Sequence, residues 1–195
     1  GKLKTLSPEA GHYQQLPLNY TALITDAVLE KNLMEKRVLF LGIPPEENLV
    51  NPKTSRAEAE LTARIVLLFK QLWAANGKEW HPAKTLGIIT PWRAQIAQLR
   101  ASLADAGLDP DEITIDTVER YQGGAREIIV VSTCVHSEYQ LASLVNLSGE
   151  GVDRKMNVAL TRAREHLILI GNEEILRKDE RYGAFIEQYR LEIGK

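Results

Sequence analysis

Cysteine occurs once, at Cys134, in a chain of 195 residues. One thiol can build neither an internal disulfide framework nor a cysteine-rich zinc site, so a reducing compartment suits the chain and a cytoplasmic location is expected. His12, His81, His136 and His166 are scattered without ligand spacing, and no metal site is assigned. No uninterrupted apolar run approaches the ~20 residues needed to cross a bilayer, which argues against a membrane role. An excess of positive charge is missing too. The formal net charge of −2 is unlike the basic footprint of a dedicated high-affinity DNA-binding module, so any nucleic-acid contact must be local. No Gly-x-x-x-x-Gly-Lys-Ser/Thr loop is present, and no apolar strand ends in an Asp-Glu pair that would hold magnesium. A self-sufficient P-loop hydrolase is thereby excluded. No initiator Met, signal segment or transit pattern opens the chain at Gly1, and it reads as an excised piece.

What is present is an ordinary globular composition, 44% hydrophobic and 26% charged, on a length that suits one α/β domain. Residues 1–36 read poorly and are set apart from a domain spanning 37–195. Arg37 to Ile43 is a short apolar run with strand character. Leu61, Ile65, Leu68 and Leu72 recur at helical spacing between Arg56 and Asn76, with Gly77 as the stop. Thr85 to Thr90 reads as a strand feeding a helix through Trp92, Ile96, Leu99 and Leu103. Ile113 to Asp116, Glu127 to Val135 and His166 to Gly171 read as further strands, with Cys134 inside one of them. A helix near Arg154 to Arg164 precedes the last strand, and short helices close the chain. Strands alternating with helices imply a largely parallel sheet covered on both faces, with ligands beyond the strand carboxyl ends.

Three stretches carry candidate chemistry. In Ile88-Ile-Thr-Pro-Trp-Arg-Ala-Gln95, Thr90 is suited to cap a helix and Pro91 to its first position, with Arg93 in the same turn beside free N–H groups that favour a phosphate. Trp92 shares the apolar stripe of that helix and is expected in the core. In Ile113 to Gly124, Thr117 ends a strand and Gly123-Gly124 permits close backbone approach to a ligand. In Asp153 to Asn172, a helix would project Arg162 and Arg164 along different lines, and an arginine beside an apolar junction needs an anionic partner. Each stretch taken alone is also compatible with a capped helix, a plain turn or a basic surface. No Ser/His/Asp, Cys/His or paired-carboxylate arrangement points to an unrelated enzyme.

In this order and at these separations, the three stretches resemble motifs IV, V and VI of superfamily 1 helicases of the Upf-like and Dna-like branch, AAA-type helicases. Asn157-Val-Ala-Leu-Thr-Arg-Ala-Arg164 with Gly171-Asn172 is the most specific part, and Arg56-Ala-Glu-Ala59 is similar to a further element of the family. The likeness covers about Val38 to Asn172. It implies a RecA-like three-layer domain without its own P-loop, the C-terminal of two motor domains that sandwich ATP and Mg2+ and track 5′ to 3′ on single-stranded nucleic acid, with DNA favoured over RNA. ATP and metal would be held mainly by the absent N-terminal RecA-like domain. The resemblance implies Arg162 as principal arginine finger, Arg93 and Arg56 as further phosphate contacts, Gln122 and Gly123 at the nucleotide, and Thr90, Pro91 and Thr117 along the strand. A glutamate usual in the family is replaced by Ala125, with Glu127 as a candidate substitute. The alternative function is a docking module that has kept the fold without catalysis. A shared cleft requires Thr90, Thr117 and Arg162 to lie toward one edge of the sheet.

Overall fold

A computed structural model describes residues 28–46, 49–81, 84–118, 120–121, 124–145, 157, 159 and 161–191. The chain runs α1 (Val28–Glu35), β1 (Val38–Ile43), α2 (Arg56–Ala75), β2 (Leu86–Thr90), α3 (Arg93–Asp105), a 3-10 turn (Pro110–Glu112), β3 (Thr114–Thr117), β4 (Arg126–Ser132), α4 (Glu138–Leu144), β5 (Ala163–Asn172), α5 (Glu173–Leu176) and α6 (Glu180–Tyr189). Backbone at 157, 159, 161 and 162 is helical and leads straight into β5.

Five strands pair in the order β1-β5-β4-β2-β3, every pair parallel. Parallel pairing requires crossovers, and their helices cover both faces. Alternate residues of the strands accordingly enter two separate cores. Leu39, Leu41, Leu86, Ile88, Ile128, Val130, Ile168 and Ile170 pack with residues of α1, α2 and α3. Phe40, Ile89, Ile129, Val131, Leu167 and Leu169 face Leu141, Tyr182, Phe185 and Ile186 of α4 and α6. This is a three-layer α/β domain of RecA-like type. Leu29 and Leu33 of α1 belong to the first core, so the described end of the N-terminal segment packs as part of the domain.

Helix α2 forms where its periodicity predicts. Ser55 caps it by accepting from the Glu58 amide at 3.1 Å, Ile65, Leu68 and Leu72 are buried, and Gly77 at φ 64 ends it. The Gly77 amide returns to Ala74 O at 3.1 Å and the Lys78 amide to Trp73 O at 2.9 Å, which closes a Schellman turn.

Three boundaries differ from the expectation. β4 stops at Ser132 because Cys134 turns into the left-handed region at φ 47, so Cys134 lies beyond the strand, buried. β5 begins at Ala163, whose Cα partner is Arg126, so Arg164 is a strand residue and not part of a helix with Arg162. α3 starts at Arg93, so Thr90 is not its cap and Pro91 is not its first residue. Proline biases the preceding residue toward extended backbone, which suits Thr90 to a strand end, and the helix entry moves two residues on to Trp92.

At the far end of β5, a Cβ on Gly171 would meet Thr133 Oγ1 at 2.1 Å and Leu176 Cδ1 at 2.8 Å. Gly171→Ala is therefore expected to destabilise the domain by about 1–3 kcal/mol through overpacking, read as a lower urea midpoint. An unchanged midpoint would show that both neighbours give way freely.

Candidate functional site

Thr90 and Thr117 close β2 and β3 and are Cα partners. After Thr117 the chain turns tightly, its carbonyl accepting from the Arg120 amide at 3.0 Å and the Tyr121 amide at 2.8 Å. After Thr90 it passes Pro91 and enters α3 at Trp92, which offers no side-chain cap. A cleft of about 430 Å3 opens between these two turns, lined by Lys53, residues 91–94, Thr117 and Arg120. Lys53, Arg93 and Arg120 bring three cations to it, and none forms an ion pair among the described residues. Trp92 is half-buried at the wall of the cleft instead of lying in the core, its indole Nε1 donating to Cys134 O at 3.0 Å, with Lys53 Nζ 5.4 Å from the ring centroid. Thr90 is fully buried, and its hydroxyl has no partner among the described residues.

Behind this cleft lies a buried polar network that sequence reasoning did not assemble. Ser55-Arg-Ala-Glu58 has the spacing of a capping box, in which the glutamate would turn back to the Ser55 amide. Gln95 of α3 takes that amide instead, with its Oε1 at 2.8 Å, and its Nε2 donates to Ser55 O at 2.9 Å and Ser132 Oγ at 3.1 Å. Glu58 is thereby released to cross to the end of β4. It accepts from the Ser132 hydroxyl at 2.7 Å and from the Cys134 amide at 3.0 Å. Burial pushes the Glu58 carboxyl up to about 8, opposed by the hydrogen bonds from Ser132 and Cys134. The Cys134 thiol is also raised, by burial and then by the Glu58 and Glu46 charges, and stays protonated and inert. Arg56 stands exposed at the start of α2, bonded to Glu60 at 2.6 Å, and that bond raises its pKa.

The amino-terminal ends of β4 and β5 carry a different group. Arg162 directly precedes β5, its Nε is buried without a partner, and it forms no ion pair among the described residues. Arg164, two residues on, is bound by Glu127 at 3.2 Å. The candidate substitute for the missing glutamate is thus engaged by an arginine of the next strand. Arg126 is buried at the start of β4, donating to Gly124 O at 2.9 Å and stacked 5.9 Å from the Tyr121 ring centroid. The Tyr121 phenol is pushed up by burial, while the charges of Arg126 and Arg162 both pull it down. Gln122 and Gly123 lie outside the described residues.

The single shared edge expected for Thr90, Thr117 and Arg162 is not found. Ile89 pairs with Val131 on β4, whereas the residue after Arg162 pairs with Arg126 at the strand's opposite end. At 3.3 Å per residue the two groups stand roughly 20 Å apart. The structure brings Thr117, Pro91 and Arg93 together in the cationic cleft and leaves Arg162 at the other end of the sheet.

A family model described as AAA domain matches residues 4–174. The chain belongs to this family, as a superfamily 1 helicase domain. The helicase domain is 38% identical over 169 residues, 80% of the chain, to a Danio rerio protein named "Putative helicase mov-10-B.2". It is 30% identical over 160 residues, 78% of the chain, to Regulator of nonsense transcripts 1 of Dictyostelium discoideum. RNA helicase Mov10l1 of Mus musculus is 33% identical over 112 residues, 54% of the chain. The matched stretch spans 16%, 11% and 9% of these relatives' own lengths. Among the described residues no helix is long and apolar enough to cross a membrane, and no group of three His, Cys, Asp or Glu side chains could hold a metal ion.

Proposed function

We propose that this domain is the second motor domain of an ATP-dependent RNA helicase, gripping a single strand at the carboxyl ends of β2 and β3 and presenting Arg162 to a nucleotide at the opposite end. The observation that carries the reading is the cleft in which Lys53, Arg93 and Arg120 surround Thr117. Three cations with no ion pair among the described residues, set around a buried strand-end threonine, suit the spaced phosphates of a strand, which anchor without reading sequence. Lys53 and Arg120 supply mobile charge, and Arg93 supplies fixed charge from the first turn of α3. We assign Arg93 to the nucleic-acid backbone on this account, because it stands with Thr117. Pro91 shapes the wall, and Thr90 supports Thr117 from behind.

RNA replaces DNA as the preferred strand. The relatives' names speak for RNA, and nothing in the cleft favours a deoxyribose backbone. ATP with Mg2+ would be bound mainly by a P-loop domain acting beside this one, since this chain has no phosphate loop of its own. Arg162, which has no carboxylate partner among the described residues, would then meet the γ-phosphate when the two domains close.

Titration of the chain with a single-stranded RNA decamer is expected to show weak, salt-sensitive binding, in keeping with the net charge of −2. Lys53→Ala and Arg120→Ala should each weaken it and lower the slope of log affinity against log salt by about 0.7. Equal affinity and slope in both variants would sink the cleft assignment.

A further inference from the structure

We infer that Trp92 is a nucleobase platform: its indole face, held in place from behind by Cys134 and Glu58, stacks on a base of the strand whose phosphates the neighbouring cations hold. The inference rests on the nucleic-acid reading of the cleft and adds the base to it.

Four features of the structure carry it. The ring is half-buried yet forms part of the cleft wall between Thr117 and the cations. Its polar edge is already satisfied, because Nε1 donates to Cys134 O at 3.0 Å, so the apolar face is left for a ligand and the ring is tethered at that edge. The acceptor is unusual. Cys134 is the single described non-glycine residue with positive φ, at 47°, a conformation that persists only where its surroundings impose it. What imposes it is Glu58, fully buried, whose two carboxylate oxygens each lie 3.0 Å from the Cys134 amide nitrogen. Glu58 thus fixes a strained residue whose carbonyl fixes the indole.

The present occupant of the ring face is Lys53, an exposed side chain 5.4 Å from the centroid. A cation over an exposed ring is held by a factor of roughly two to five. A base stacked on an aromatic side chain contributes roughly five- to a hundredfold. A base therefore displaces the ammonium, which is then free to meet the adjoining phosphate. Every base has a π face, so such a platform tolerates any sequence, as a domain that moves along a strand requires.

The test uses this chain with three decamers of equal charge: oligo(rA), oligo(rU) and an abasic ribose-phosphate strand. The wild type should bind oligo(rA) roughly tenfold more tightly than the abasic strand, with oligo(rU) between them. Trp92→Ala should remove most of that difference while leaving the salt slope unchanged, and Trp92→Phe should retain part of it. Tryptophan emission should be quenched on binding in the wild type and not in Trp92→Phe, where Trp73 and Trp80 remain as internal references. Thermal unfolding checks that each variant is folded. Should Trp92→Ala fail to fold, the comparison of oligo(rA) with the abasic strand on the wild type still decides. Equal affinity for the two strands, or a Trp92→Ala that binds oligo(rA) like the wild type while Lys53→Ala and Arg120→Ala weaken it, overturns the platform and leaves the cleft standing. If no variant alters binding, the cleft reading itself has failed.

Discussion

Replacing Arg162 by Ala in a protein that joins this domain to a P-loop partner is expected to lower ATP turnover by roughly 10³-fold or more, the scale of an arginine finger, with a much smaller change in nucleotide affinity. The structural ground is the contrast between two arginines set two residues apart. Arg164 has a carboxylate at 3.2 Å, and Arg162 has none among the described residues although its Nε is buried. A guanidinium whose Nε is buried without a carboxylate suits an anion arriving from outside. Arg164→Ala is the internal control. Its ion pair with Glu127 is partly exposed, so the loss should be limited to about 1 kcal/mol of stability with the chemical step nearly intact. Steady-state ATPase rates at saturating RNA make the comparison. Near-normal turnover in Arg162→Ala would remove the finger assignment and leave the docking-module reading of the same fold.

The second large effect concerns pH and stability, and it arises from two groups that pull in opposite directions. Glu58 is raised from 4.5 to about 8 by burial, so between those values the folded domain keeps a proton that the unfolded chain has released, and stability falls as pH rises. His166 is lowered by burial from 6.5 to about 4, its Nε2 lying 2.7 Å from Leu33 O, so between those values the unfolded chain holds the extra proton and stability rises with pH. From about 4.5 to 6.5 the two contributions cancel. Above 6.5 only the glutamate of the two still differs between the states, and the unfolding free energy is expected to decline by about 1 kcal/mol per pH unit until pH 8. Urea unfolding at half-unit steps measures it. Glu58→Gln should flatten the decline whatever its effect on overall stability. A stability that holds level or rises from pH 6.5 to 8 in the wild type would refute the assignment.

Much of the domain is legible in the sequence because hydrophobic runs and breaks follow directly from burial. The α2 stripe of Ile65, Leu68 and Leu72 with Gly77 after it marks a helix and its end, and five runs mark the five strands to within three residues at either end. Strand order is not legible, since β1-β5-β4-β2-β3 depends on which crossovers pack together and not on any single segment. Boundaries fail where tertiary contacts override local pattern. The run Glu127 to Val135 looks like one strand, yet the hydrogen bonds from Ser132 and Cys134 to a carboxylate 74 and 76 residues away bend it after Ser132. Trp92 keeps helical spacing with Ile96, Leu99 and Leu103, but as the cap of α3 it precedes the first turn and its indole turns to Cys134. The expectation set Thr90, Thr117 and Arg162 toward one edge of the sheet and missed their division, although Thr117 ends a strand and Arg162 precedes one. In a parallel sheet those are opposite ends.

Under the proposed function that division would let the sheet act as a lever. β4 runs the whole way between the two groups and is paired on both sides, so it has no free edge at which to slide. If closure on a nucleotide draws in the Arg162 end and the domain pivots near that end, a turn of roughly ten degrees swings the Trp92 end through roughly 3–4 Å. That is close to the 3.4 Å rise per nucleotide along one strand of a duplex. On that geometry the length of β4 would set the length of the stroke.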